Sequence, residues 1–276
     1  MTDGLQQISE GVGPELAGPL AAINAQPAIP EGLLRQNMRT ALVRGYVDAG
    51  QFKAHEHVMN IIGGGPSLED TYKDIDGYVA AINGSLPWLL DHDIVPNACG
   101  ILDPGPHMKD IVVAHPGVHY FVASIVDPTV FDKLEDCRVI LWHPSGIAGA
   151  EAVVRNFRPK TWLMIGGGST MGLRWMNLGY VMGFRKFRLH GMDSCFRDGN
   201  THAYPDRRDI MPEFMDIEGY QTRPNFAAQV ADFIFQLERF KQPDIEPIEI
   251  EVLGDGLLQS KWRDYIRVNP GVYGPC

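Results

Sequence analysis

The 276 residues include 45% hydrophobic and 21% charged side chains, which excludes a disordered, coiled-coil or collagen-like chain and suffices for a substantial core. The formal charge of −10 (24 Lys and Arg against 34 Asp and Glu) argues against general nucleic-acid binding and favours small-molecule or protein partners. Glycine is in surplus, with 30 residues against roughly 19 expected at the usual ~7%.

Residues 1–30 are rich in Gly, Pro, Ala and Gln and read as a flexible arm. Their start has neither a basic region nor an apolar core of the signal-peptide kind, and no later run approaches the ~18 apolar residues of a membrane span. Cys99, Cys137, Cys195 and Cys276 form no C-x-x-C, so no disulfide framework or thiolate zinc site is indicated. These features predict a cytoplasmic protein without a membrane partner.

From Glu31 onward Leu33, Leu34, Met38, Leu42, Val43 and Tyr46 recur at helical spacing, predicting a docking helix within 31–55. Short apolar runs ended by Gly, Asn or Asp then follow: 58–62, 78–82, the run ending at Ile101-Leu102, 119–123, 138–142, 161–165 and 187–190. Helix-compatible segments at 128–135, 146–156 and 169–182 separate several of them. Buried strands alternating with helices predict an α/β, Rossmann-like, doubly wound and mostly parallel sheet, with ligands at the carboxyl ends of the strands. A helix over about 225–240 and a last or edge strand at 248–253 close the nucleotide-binding domain, 56–254, and 255–276 form a C-terminal extension or tail.

Two segments resemble each other. VMNIIGGGPSL carries Gly63, Gly64, Gly65, Pro66 and Ser67, and TWLMIGGGSTM carries Gly166, Gly167, Gly168, Ser169 and Thr170. Glycines after a strand let the backbone approach a ligand, and the following N–H groups can face an anion such as phosphate. The same residues can also make a sharp turn with no ligand, and Ser169 or Thr170 can simply cap a helix. Leu68 stands where the dinucleotide fingerprint needs Gly or Ala, and no G-K-[ST] occurs, which disfavours ordinary Rossmann dehydrogenases and P-loop kinases. Two such loops in one sheet predict one nucleotide between them, approached from neighbouring strands.

Asn83 follows the second strand where Rossmann proteins carry a ribose-binding group, although Asn-Gly is also an ordinary turn. Asp103 in ILDP and Asp193 in LHGMD both follow strands and together could hold Mg2+ against a nucleotide. His202, in the turn-rich DGNTHAYP, is a candidate general acid or base or an exposed loop residue. No G-x-S-x-G nucleophile elbow is present.

The order GGGPSL, ING, LDP, GGGSTMGLRWMNLGYVMGFRKFRLHGMD and DGNTHAYP, from about His57 to Pro205, resembles the 6-hydroxymethylpterin diphosphokinase MptE-like family, which also embraces motility accessory factors linked to flagellin glycosylation. The G-x-G-P-S-L start is shared with bacterial sialyltransferases that use CMP-sialic acid. The resemblance implies a Rossmann-like domain in which Gly63, Gly65, Pro66 and Ser67 form the first nucleotide loop. Asn83, Asp103, Ser169, Thr170 and Asp193 match its further motif positions. It implies a transferase of one of two kinds. One moves diphosphate from ATP to a pterin-like hydroxymethyl acceptor with Mg2+ held by Asp103 and Asp193. The other moves a sugar from a CMP-sugar, with His202 deprotonating the acceptor. A nucleotide-binding protein without catalysis is the alternative from another class. A homo-oligomer is compatible with each.

Overall fold

The computed structural model describes residues 29–160, 162–204 and 214–273. The expected arm therefore falls almost wholly outside the described residues. Helix α1, Glu31–Leu42, buries Leu34, Met38, Ala41 and Leu42, the face set by its apolar spacing. It stops well short of residue 55, because Gly45 takes a positive φ of 76° and the chain then extends into strand β1, Val47–Asp48.

The other strands are β2, His55–Ile62; β3, Tyr78–Ile82; β4, Ala98–Ile101; β5, His119–Ala123; β6, Arg138–Pro144; β7, Met164–Ile165; β8, Phe184–His190; the hairpin of β9, Met215–Ile217, and β10, Tyr220–Thr222; and β11, Glu249–Val252. Short helices α2 (Leu68–Thr71), α3 (Ser85–Asp91), α4 (Met108–Ile111), α5 (Pro128–Lys133) and α6 (Ala150–Phe157) follow β2 to β6 in turn. The longer α7 (Met171–Val181), α8 (Pro224–Phe240) and α9 (Leu257–Val268) complete the fold.

Every pairing in the main sheet is parallel, in the order β1-β6-β5-β4-β3-β2-β8-β11, with β7 beside the end of β6. The chain thus leaves the centre at β2, steps outward through β3, β4, β5 and β6, then returns to lay β8 against the other side of β2. The carboxyl ends of β2 and β8 are the switch point of a doubly wound sheet, where ligands bind. The expected fold class is the one formed.

Helix α7 makes the return. Its Leu173, Trp175, Met176 and Leu178 are fully buried, and Trp175 Nε1–H donates to Ala81 O at 3.0 Å. A Cβ at Gly100 on β4 would strike Met171 and Trp175, and one at Gly172 would strike Met192. The sheet domain does not end at 254, since α9 buries Leu257, Leu258, Trp262 and Tyr265 and lies on the loop after β8.

Gly100→Ala overpacks this seam and is expected to lower stability by about 1–3 kcal/mol. Urea unfolding of the two proteins, compared through their midpoints at equal m-value, measures it.

Candidate functional site

The loop after β2 lies at the switch point. Gly63 N–H donates to His190 O at 2.8 Å and Gly65 N–H to Gly191 O at 2.7 Å, which stitch it to the end of β8. Ser67 N–H donates to Asp193 Oδ2 at 2.9 Å. Among the described residues Gly64 N–H alone in the triplet has no acceptor. The loop is therefore less of an open phosphate cradle than its glycines suggested, because its other amides are spent within the protein.

Asp193 is 3% exposed. Burial raises its pKa, opposed by its bonds with Ser67. Its other oxygen faces Gln259 Nε2 at 3.4 Å, and Leu258 N–H donates to its backbone oxygen at 3.2 Å. A Cβ at Gly65 or Gly256 would collide with this residue, so two glycines are needed to enclose the carboxylate. Ser67 is wholly buried, and Pro66 is buried too. Both shape the turn beneath the site rather than face a ligand.

Beneath the loop lies a buried polar chain. His190 Nε2 is 3.2 Å from Asn60 Oδ1 and Nδ1 is 3.2 Å from Thr71 Oγ1, which in turn lies 3.2 Å from Ser67 O. A neutral ring that donates through Nε2–H to Asn60 Oδ1 leaves Nδ1 as an acceptor, and the single Thr71 hydroxyl hydrogen serves either Nδ1 or Ser67 O. Burial, with Arg188 nearby, pushes the His190 pKa down to about 4.

The segment Thr201–Tyr204 covers the loop. Ala203 N–H donates to Gly64 O at 2.9 Å, and the rings of His202 and Tyr204 stack with centroids 5.0 Å apart. The His202 Nδ1 is 2.8 Å from Thr201 Oγ1. A Cβ at Gly64 or at Gly84 would collide with the Tyr204 hydroxyl, and the His202 ring also borders Gly64. Tyr204 thus occupies space left by two glycines after adjacent strands. No sequence motif marks Tyr204, because its place over the two glycines follows from the bends at 201–204.

Asn83 extends the β3–β4 ladder, its N–H donating to Gly100 O at 3.1 Å, and its half-exposed side chain stands next to Gly84 at the rim. Asp103, after β4, accepts from Gly105 N–H at 2.8 Å through Oδ1, and its Oδ2 is 3.3 Å from His107 Nε2.

Two expectations need correction. The second glycine loop follows β7 at the far side of β6, with β3, β4, β5 and β6 between it and β2, so the triplets do not approach one ligand from neighbouring strands. Gly167 and Gly168 have φ of 93° and 51°, and side chains there would collide with Asn177 and Leu173. Ser169 N–H donates to Asp232 Oδ2 at 2.8 Å, and Thr170 Oγ1 accepts from Gln229 Nε2 at 3.3 Å. The half-buried Arg174 donates to Gly168 O and Ile165 O. These contacts make the loop the launch point of α7.

The second correction concerns the metal. Asp103 follows β4 and Asp193 follows β8, three strand steps apart, roughly 14 Å at the usual ~4.8 Å spacing. Asp193 is sealed and its oxygens face N–H donors, an environment suited to an anion and hostile to a cation. The pair does not fit Mg2+, and no group of three or more His, Cys, Asp or Glu among the described residues is arranged for a metal.

A sequence model of the family described as 6-hydroxymethylpterin diphosphokinase MptE-like matches residues 35–199, more than half of the chain. The chain belongs to this MptE-like family. Among solved structures, the MAf glycosyltransferase from Magnetospirillum magneticum AMB-1 shares the fold at 17% identity and a TM-score of 0.54, with 87% of this chain and 42% of that one covered. The chain thus spans less than half the length of that protein. The sialyltransferase CstII from Campylobacter jejuni, solved with cytidine-5′-monophosphate, aligns at 13% identity and a TM-score of 0.36 over 75% of this chain and 84% of that one. Cst-I from the same organism aligns at 12% identity and 0.37, over 78% and 82%. No curated protein matches the chain. None of the helices among the described residues is long and apolar enough to cross a membrane.

His190 supplies a pH test of the polar chain below the loop. It stays neutral in the fold to a pKa of about 4, whereas the unfolded chain takes up the proton near 6.5. Stability is therefore expected to fall as pH drops from 6.5 to 4, by on the order of 3 kcal/mol in all. In His190→Gln this part of the slope disappears, as read from chemical unfolding at stepped pH.

Proposed function

We propose that this MptE-like protein is a nucleotide-dependent transferase and that its cleft transfers a sugar from a CMP-type donor. The observation that carries the reading is the set of groups over the switch point: Gly64 N–H, the Tyr204 hydroxyl and the His202 imidazole. An N–H and an O–H can neutralise charge developing on a departing phosphate without a metal. Asp193, already engaged by Ser67, serves the loop and does not contact the donor.

In the proposed reaction the bond from the sugar's anomeric carbon to the phosphate oxygen breaks, and its electron pair remains on the phosphate. The acceptor hydroxyl forms the new bond to that carbon. His202, with Nδ1 against Thr201 Oγ1, takes the hydroxyl proton at Nε2, and Tyr204 donates its hydroxyl hydrogen bond to the phosphate. Positioning and local electrostatics supply the catalysis. The covering segment excludes water that would otherwise hydrolyse the donor.

The second reading, diphosphate transfer from ATP to a hydroxymethyl acceptor, is favoured by the description of the family. It would need a metal arrangement other than the Asp103–Asp193 pair. In both readings the protein acts in the cytoplasm on small molecules.

Calorimetric titration of the full chain with CMP and with ATP, each with and without Mg2+, tests the choice. CMP binding unchanged by Mg2+ is expected, weakened about 10- to 150-fold in Tyr204→Phe, as for loss of one hydrogen bond to a charged group. Binding of ATP that requires Mg2+, with none of CMP, would overturn sugar transfer in favour of the second reading.

A further inference from the structure

The turn after β4 is built more elaborately than a connection requires. In Asp103-Pro104-Gly105-Pro106-His107, two prolines restrict the backbone. Asp103 Oδ1 accepts from Gly105 N–H at 2.8 Å, and Oδ2 lies 3.3 Å from His107 Nε2. Gly105 is required for this, since a Cβ there would strike the His107 ring. The result is a carboxylate fixed at both oxygens yet 41% exposed, beside an imidazole 49% exposed. It sits on the carboxyl edge of the sheet, next to Asn83, whose side chain has no hydrogen-bond partner among the described residues.

Strand order supplies the scale. β3 and β4 are the first and second strands beyond β2, so Asn83 and Asp103 stand roughly 5 and 10 Å along the edge from the glycine loop. If a phosphate lies at Gly64, a nucleoside extending over this edge places its ribose over Asn83 and its base beside Asp103. An ionised carboxylate only accepts hydrogen bonds, so it favours a base edge that donates and disfavours one that presents a carbonyl. Cytosine and adenine carry an exocyclic amino group at the position where uracil and hypoxanthine carry oxygen. Carboxylates accepting from cytosine N4 are an established mode of base reading.

We infer that Asp103 is a specificity-determining residue that selects a nucleotide with an exocyclic amino group on its base, and that His107 positions its carboxylate. This rests on the nucleotide reading of the cleft above, but not on whether the transferred group is a sugar or diphosphate. It gives Asp103 a role in place of the excluded metal site. Asn83, which can both donate and accept, suits the ribose hydroxyls between the two ends.

The test compares two isosteric pairs, CMP against UMP and AMP against IMP, by calorimetry on the full chain. Wild type is expected to bind the amino member of at least one pair 5- to 100-fold more tightly than its carbonyl partner, the range for one specific base contact. In Asp103→Asn the new amide can donate to a carbonyl, so the preference should collapse or invert. Its Oδ1 is retained for Gly105, and thermal melting confirms the fold. In His107→Ala the ratio should shrink, and in His107→Gln, which keeps a donor, it should be largely kept; a purely structural effect would weaken both members equally. Equal binding of both members in wild type, or an unchanged ratio in Asp103→Asn, would overturn the inference while leaving the nucleotide site standing. If no nucleotide binds at all, the reading of the cleft fails and this inference with it.

Discussion

The upper edge of the sheet depends on one contact, the Ser67 N–H against the Asp193 carboxylate. It joins the loop after β2 to the end of β8, and through Gln259 and Leu258 it also fixes the start of α9. Hydrogen bonds to charged groups are worth about 1.5–3 kcal/mol each, and losing one partner strands the other in a buried setting. A protein carboxylate thus already neutralises the N–H end of the loop. On the nucleotide reading a second anion draws on other donors, Gly64 N–H and the covering segment that carries His202 and Tyr204. On that reading the donors for a phosphate are thus one amide of the glycine triplet, Gly64, and a loop distant from it in sequence.

The same sheet order explains why the two glycine triplets are alike and yet serve different ends. Each follows a strand and precedes a helix. The first must let β8 and Tyr204 come close, so its glycines are cleared against Gly191, Tyr204 and Asp193. The second must turn the chain off the far edge and send α7 back across the sheet. Its carbonyls are held by the Arg174 guanidinium, whose burial lowers its pKa to about 10 and still leaves it charged at neutral pH. Local pattern is shared because both are strand-to-helix turns, and function differs because their neighbours differ.

Much of the architecture was legible in the sequence. β3 and β5 coincide with the apolar runs 78–82 and 119–123, and α7 and α8 with their periodic segments. Apolar runs ended by Gly, Asn or Asp are what buried parallel strands look like. β1 was not legible, since two residues with Val47 75% exposed carry no pattern. The importance of Asp193 could be read from its place after a strand, but its role could not. That role follows from a partner 126 positions away and from the lid of Gly256 and Gln259, a segment that reads as the start of a tail. The distance between Asp103 and Asp193 likewise depends on strand order, which periodicity does not contain.

Charge would give a nucleotide at the switch point a direction. A chain with a net charge of −10 offers a nucleotide no long-range attraction, so orientation rests on local groups. On the nucleotide reading, Gly64 N–H and the Tyr204 hydroxyl at the β2 end favour the phosphate, while the exposed Asp103 at the β4 end opposes it. Two unit charges ~4 Å apart at an effective dielectric near 20 repel by about 4 kcal/mol, falling to about 1.7 kcal/mol at ~10 Å. A nucleotide bound backwards would therefore lose about 2 kcal/mol or more relative to the forward pose from this one carboxylate, on top of the donors it would forgo. On that reading the acid that cannot hold a metal with Asp193 still shapes the site, because its position two strands from the loop leaves one end suited to a phosphate and the other to a base.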